Sequence, residues 1–226
     1  MIISPSAISP YKIPTFQSGG GVPPFSFGNA LQFDGVNDYV SFSNLTTTTT
    51  WTVSYWFIFG SNMILSDFGT NYIQHFNSTY VRIKTGSDSR FYAVPNMNDG
   101  NWHNNVVSVN SGVARVYLDG VESLAGAQTN NTSININTLG TFNGGSFYFN
   151  NKLDEIAIWV GTSATSQNAI DLYNGGNGAL ASSVIASPTA YWRMNGTSGD
   201  STAIDEQGTY NGTLNNFNTA TCWVAH

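Results

Sequence analysis

Residues 51–59 read WTVSYWFIF, and the alternation in this stretch decides the fold. A period of two puts Trp51, Val53, Tyr55, Phe57 and Phe59 on one face. Trp56 and Ile58 join Thr52 and Ser54 on the other. A strand that is apolar on both faces at one end is covered from two sides, so it lies at the centre of a sheet.

Outward from this strand the same period recurs at intervals of about 8–12 residues, the rhythm of a β-sandwich. Leu31–Phe33 runs into the turn Asp34–Gly35, and Tyr39, Val40 and Phe42 follow. Residues 79–85 and 89–94 form a hairpin about Gly86–Ser87–Asp88. Ala114, Val116 and Leu118 alternate up to Asp119–Gly120, a hairpin turn that Val121 leaves. Ile156, Ile158 and Val160 alternate with Ala157 and Trp159. One helix is expected from Thr165 to Tyr173, with Gly175–Gly176 as its stop. Residues 1–28 carry Pro5, Pro10, Pro14, Gly19–Gly20–Gly21 and Pro23–Pro24 without periodicity, and read as an extended arm.

Composition agrees with this reading. Charged residues are 9% of the 226, against about 25% in an ordinary globular protein. Asn, Thr, Ser and Gly supply the polarity instead, which suits strands and tight turns rather than surface helices. The net charge of −6, with seven scattered Lys and Arg, offers no basic stripe for nucleic acid. No apolar run is long enough for a membrane span. Cys222 is the one cysteine, so no intrachain disulfide forms. Met1–Ile2–Ile3–Ser4–Pro5 lacks the basic and apolar regions of a cleaved signal.

In order along the chain, Ala30–Leu31–Gln32–Phe33–Asp34–Gly35–Val36–Asn37–Asp38–Tyr39–Val40, Thr52–Val53–Ser54–Tyr55–Trp56, Asn101–Trp102–His103–Asn104–Asn105–Val106, Tyr117–Leu118–Asp119–Gly120 and Leu153–Asp154–Glu155–Ile156–Ala157–Ile158–Trp159 resemble the motifs of laminin-G-like, concanavalin-A-like jelly-roll domains. Asn104 stands where that family usually has a second His. Ile170–Asp171–Leu172–Tyr173–Asn174 is similar to its terminal helix. The resemblance implies an all-β, two-sheet antiparallel sandwich over residues 29–226. Ala190–Tyr191–Trp192–Arg193–Met194 and Tyr210–Asn211–Gly212–Thr213–Leu214 resemble the segment that usually precedes the Phe-Asp-Gly motif. Here it follows the helix, so residues 188–217 are expected to return to the same sandwich, the alternatives being a strand donated to a neighbouring copy or the stub of a second domain. This arrangement resembles that of bacteriophage virion proteins.

The resemblance implies a rim Ca2+, with Asp34, Asp38 and Asp154 as candidate ligands, while Asp34 also suits a plain Asp-Gly turn. Tyr72, Tyr80, Phe91, Tyr92 and Tyr148 lie near expected loops and edges, where a ring face can pack on a pyranose; each could instead belong to the core. Ile2, Ile3, Tyr11, Ile13 and Phe16 give the arm an apolar character suited to anchoring. His103 reads as a packed structural histidine, and His75 has no assigned partner. Glycoside hydrolysis needs two carboxylates facing one cleft. Asp154 and Glu155 are adjacent, and on a regular strand adjacent residues point to opposite faces.

These features imply a non-catalytic protein. The first reading is a virion surface component that engages other virion proteins through the arm, binds host glycans and works as a homo-oligomer. The second is a free extracellular lectin, and a hydrolase ranks third.

Overall fold

The computed structural model describes residues 25–60, 62–67, 70–129, 133–142 and 144–226. The arm residues Ile2, Ile3, Tyr11, Ile13 and Phe16 lie outside these. The strands run β1 (Asn29–Gln32), β2 (Tyr39–Thr46), β3 (Trp51–Ile58), β4 (Asn62–Ser66), β5 (Tyr72–Asn77) and β6 (Tyr80–Thr85). There follow β7 (Asp88–Ala93), β8 (Trp102–Asn110), β9 (Val113–Leu118), β10 (Val121–Glu122), β11 (Gln128–Thr129), β12 (Asn135–Leu139) and β13 (Lys152–Val160). Helices α1 (Ser166–Tyr173) and α2 (Ala181–Val184) precede β14 (Ala190–Trp192), β15 (Thr202–Ala203), β16 (Gly212–Asn215) and β17 (Trp223–Ala225). α2, a single turn, has no counterpart in the sequence reading.

The strands form two antiparallel sheets. One has nine strands along the path β10-β9-β8-β3-β13-β1-β17, with β11 on β9 and β14 on β13. The other has eight, in the order β15-β16-β2-β12-β4-β5-β6-β7. β3 lies between β8 and β13. Its Trp51, Val53, Tyr55 and Phe57 enter the core between the sheets, as the alternation of residues 51–59 dictates. The segment after α1 pairs within the same chain: β14 on β13, β16 on β2 and β17 on β1.

The helices cover the centre of the outer face of the nine-stranded sheet. Val106, Tyr117, Ala157, Trp159 and Tyr191 meet Ala169 and Leu172 of α1 and Ala181 of α2. Thr52 fixes the chain leading into α1, its hydroxyl donating to Thr162 O (2.9 Å) and accepting from Ala164 N (2.8 Å). Thr165 then caps the helix in a box with Asn168, which satisfies backbone donors that an uncapped first turn leaves open. With helices on one outer face, the other sheet carries the open one. No helix among the described residues is long and apolar enough to cross a membrane.

Candidate functional site

The open face is built by β5, β6 and β7. In β6 Val81 and Ile83 point into the core, so Tyr80, Arg82 and Lys84 point outward. β5 does the same, with Ile73 and His75 inward and Tyr72, Gln74 and Phe76 outward. A register shift after His75 marks a bulge at Phe76, a local break that re-aims side chains at the end of a strand. Gln74 faces Arg82 and Arg82 faces Phe91 across the strands, so all three side chains share one side.

Their rings form a connected surface. Phe76 and Phe91 meet edge to face at 4.9 Å, and Tyr80 and Phe91 at 6.5 Å. The Arg82 guanidinium lies 5.2 Å from the ring centres of both Tyr72 and Phe91. Phe142, on the loop after β12, extends the row by meeting Tyr72 edge to face at 5.7 Å. Phe76, Phe91 and Tyr80 stay 50%, 40% and 39% exposed, though burial of such rings is worth roughly 1.5–3 kcal/mol each. Gln74, at the centre, is only 7% exposed, and its Oε1 accepts no hydrogen bond.

Three of the five expected aromatics, Tyr72, Tyr80 and Phe91, therefore come together. Tyr92 does not: it follows Phe91 on the same strand, so its ring turns inward, fully buried, with its hydroxyl 3.5 Å from Ala114 O. Tyr148 is half-buried on the loop before β13, and its hydroxyl donates to Gly144 O (3.2 Å). Phe76, Arg82 and Gln74 were missed. The Tyr80-Val81-Arg82-Ile83-Lys84 alternation carried the signal for Arg82, whereas the bulge at Phe76 leaves no mark in the sequence.

The expected calcium ligands separate. Asp34 Oδ1 accepts from Val36 N (2.8 Å) and Asn37 N (3.3 Å), which makes a turn, and Asp38 Oδ2 accepts from Asp34 N (3.0 Å). Burial pushes the Asp38 carboxyl up to about 6, and its Oδ1 has no partner. Asp154 lies on the outer face of the nine-stranded sheet with Oδ2 2.6 Å from His226 Nδ1. No group of three His, Cys, Asp or Glu suited to a metal occurs among the described residues. Asp34 and Asp38 are bonded to the N–H groups of their own turn and Asp154 to His226, so the three-residue set does not converge on an ion.

Asp154 and Glu155 also require a correction. A register shift between Asp154 and Ala157, with Glu155 at φ 48°, forms a bulge. Glu155 then reaches the Tyr191 hydroxyl and Arg193 Nε on the outer face, the side Asp154 takes opposite Trp56. The two acids thus share a face, because the bulge cancels the alternation. Burial pushes Asp154 up to about 8 and Glu155 up to about 7. Both side chains are bonded within the protein, and His226 is stacked between Phe27 (3.6 Å) and Trp102 (3.8 Å).

The two remaining histidines have structural partners. His75 Nδ1 donates to Gly60 O and Nε2 lies 3.2 Å from the Tyr55 hydroxyl, with burial driving its pKa down to about 3. His103 sits between Asp119 (2.8 Å) and Asp99 (3.1 Å). Burial acts to lower its pKa, and the two carboxylates raise it on balance.

The profile of the Concanavalin A-like lectin/glucanases superfamily matches residues 34–171, more than half of the chain. The chain belongs to this superfamily. Among solved structures, this concanavalin A-like protein is similar to a "putative carbohydrate binding protein" of Bacteroides ovatus, at 17% identity and TM-score 0.65, over 85% of this chain and 59% of that one. It thus spans about three fifths of that relative. It is also similar to the heptameric SAP-like pentraxin of Limulus polyphemus (12% identity, TM-score 0.52, 86% and 97% covered). A third is domain 4 of the arabinanase AbnA of Geobacillus stearothermophilus, solved with arabinotriose (20% identity, TM-score 0.50, 67% and 81% covered). A search of curated proteins finds no match. At these identities the likeness concerns the fold.

Proposed function

We propose that this concanavalin A-like protein is a non-catalytic carbohydrate-binding module that holds its ligand on the outer face of β5–β7. The observation that carries the reading is the exposed set Phe76, Tyr80 and Phe91 around Arg82 and Gln74. Flat rings beside hydrogen-bonding groups suit a pyranose, which offers an apolar face and a rim of hydroxyls. Two structural relatives, the "putative carbohydrate binding protein" and the arabinanase domain solved with arabinotriose, support the class of ligand. A non-catalytic role is favoured because Asp154 and Glu155 are buried and engaged with His226, Tyr191 and Arg193. A glycan array with the wild type, Phe76→Ala and Phe91→Ala tests the assignment. Truncating a central anchor costs about 2 kcal/mol, close to 30-fold in affinity. Unchanged binding by both variants would remove the site from this face.

The setting we propose is a bacteriophage virion, with residues 1–28 as anchor and several copies displayed together. Repetition suits a shallow site, since avidity can exceed single-site affinity by about 10²–10⁴. Deleting residues 1–24 should leave the sandwich folded and abolish incorporation into particles, read by mass spectrometry of purified particles. Normal incorporation would defeat the anchor.

A further inference from the structure

The chain has four arginines, and three of them pair with carboxylates: Arg90 with Asp88 (3.7 Å), Arg115 with Glu122, and Arg193 with Glu155 (3.1 Å). Arg82 has no carboxylate partner among the described residues. Its Nε donates to Ser89 Oγ (2.8 Å), and its guanidinium is held against the rings of Tyr72 and Phe91. These contacts fix the plane of the group and leave its charge without a counter-ion. A guanidinium held in this way presents the fork that receives a carboxylate through two parallel hydrogen bonds.

The surroundings reinforce that sign of charge. Lys84 lies on the same outward face, and its Nζ donates to the neutral carbonyls of Gly86 (2.5 Å) and Thr70 (3.4 Å). Arg82 and Lys84 thus bring two of the chain's seven cations onto the outer face of one strand, while Arg90, opposite the inward Ile83, lies on the other side. Asp88, the one acid of β6 and β7, is opposite the buried Thr85 and lies on that other side with Arg90. In a chain of net charge −6 this is a local positive patch, which draws an anion to one place on the surface. Directly across from Arg82, Gln74 holds a buried oxygen without a donor. Such a group costs stability unless something else supplies the hydrogen bond.

We propose, resting on the carbohydrate reading above, that the saccharide bound here is a carboxylated one, a uronic or sialic acid residue. Arg82 receives its carboxylate, a half-turn of the Gln74 amide brings Oε1 to the surface to accept a sugar hydroxyl, and Phe91 with Phe76 carries the apolar ring face. A phosphate or an acidic peptide would satisfy Arg82 but would leave the exposed rings and the amide oxygen without a role.

The test is a panel of oligogalacturonate, oligomannuronate, hyaluronan and sialyllactose, each beside its carboxyl-reduced form, titrated against the full chain by calorimetry. At least one acidic probe should bind the wild type at least about tenfold more tightly than its reduced form, the worth of a charge-assisted contact. That preference should weaken with added salt. Arg82→Met should erase it, Arg82→Lys should keep part of it, and Phe76→Ala should weaken both forms alike. Thermal unfolding of each variant confirms that it folds. Equal binding of acidic and reduced probes, unaffected by Arg82→Met, would overturn the carboxylate assignment and leave a neutral-glycan site. Binding of no probe at millimolar concentration would overturn the glycan reading with it.

Discussion

Gln74 is where stability and function pull apart. Its buried oxygen lacks a partner, and leaving such an acceptor open costs about 1–3 kcal/mol. Methionine has nearly the same length and volume without the polar oxygen. Gln74→Met should therefore raise the midpoint of thermal unfolding by several degrees, at about 2–4 °C per kcal/mol for a domain of this size. The same variant should bind glycan more weakly. A lower midpoint with unchanged binding would show that the amide already has a partner in solution. At this scale the sequence was only half legible. Phe91 and Tyr92 are neighbours on one strand, so strict alternation allows one of them outside, and the inward Tyr92 was readable from that rule alone. Phe76 was not readable, because it owes its place to a bulge, and bulges depend on the partner strand.

Pairing between distant strands decides what each element does. Residues 51–59 and the hairpin of β6 and β7 were legible because a period of two fixes their faces locally. The bulge at Asp154–Glu155 inverted the inference drawn from adjacency, since it forms where β13 meets β3. The C-terminal segment shows the same dependence: residue patterns left open which copy it completes, and the structure places β17 on β1, with Trp223 opposite Leu31. β17 covers the edge of the nine-stranded sheet and carries the chain to His226, whose ring contacts Asp154. Deleting residues 223–226 should uncover that edge and remove the partner of a buried acid. The expected loss is about 1–3 kcal/mol for the buried hydrogen bond left unmade, or roughly 2–12 °C in unfolding midpoint. His226→Ala should cost less, because β17 remains. A deletion that leaves the midpoint unmoved would show that β17 closes nothing.

The whole sandwich encloses ionisable groups of two kinds, and their opposed titrations give its stability a definite pH profile. Burial lowers His75 to about 3 and His226 to about 4, against 6.5 for a free histidine. Below pH 6.5 the unfolded chain therefore takes up protons that the folded one refuses, and these two groups make stability fall as pH falls. Burial raises Asp38 to about 6, Glu155 to about 7 and Asp154 to about 8, from ordinary values of 3.8 to 4.5. For these the folded chain holds protons that the unfolded one has released, so their contribution is complete near pH 4 and is lost as pH rises through the folded values. Between roughly pH 4 and 6.5 the two trends oppose each other and the profile stays shallow. Above pH 6.5 His75 and His226 are neutral in both states, while Glu155, Asp154 and His103, which Asp119 and Asp99 hold above its ordinary value, still keep protons that the unfolded chain releases. The unfolding midpoint should then fall steadily from pH 6.5 to about 8.5, and further above about pH 9, where burial keeps Cys222 and Tyr55, Tyr92 and Tyr191 protonated in the fold. Asp154→Asn is neutral at every pH and should flatten the later part of that decline. A decline that Asp154→Asn leaves unchanged would mean that Asp154 is already ionised in the folded chain at neutral pH.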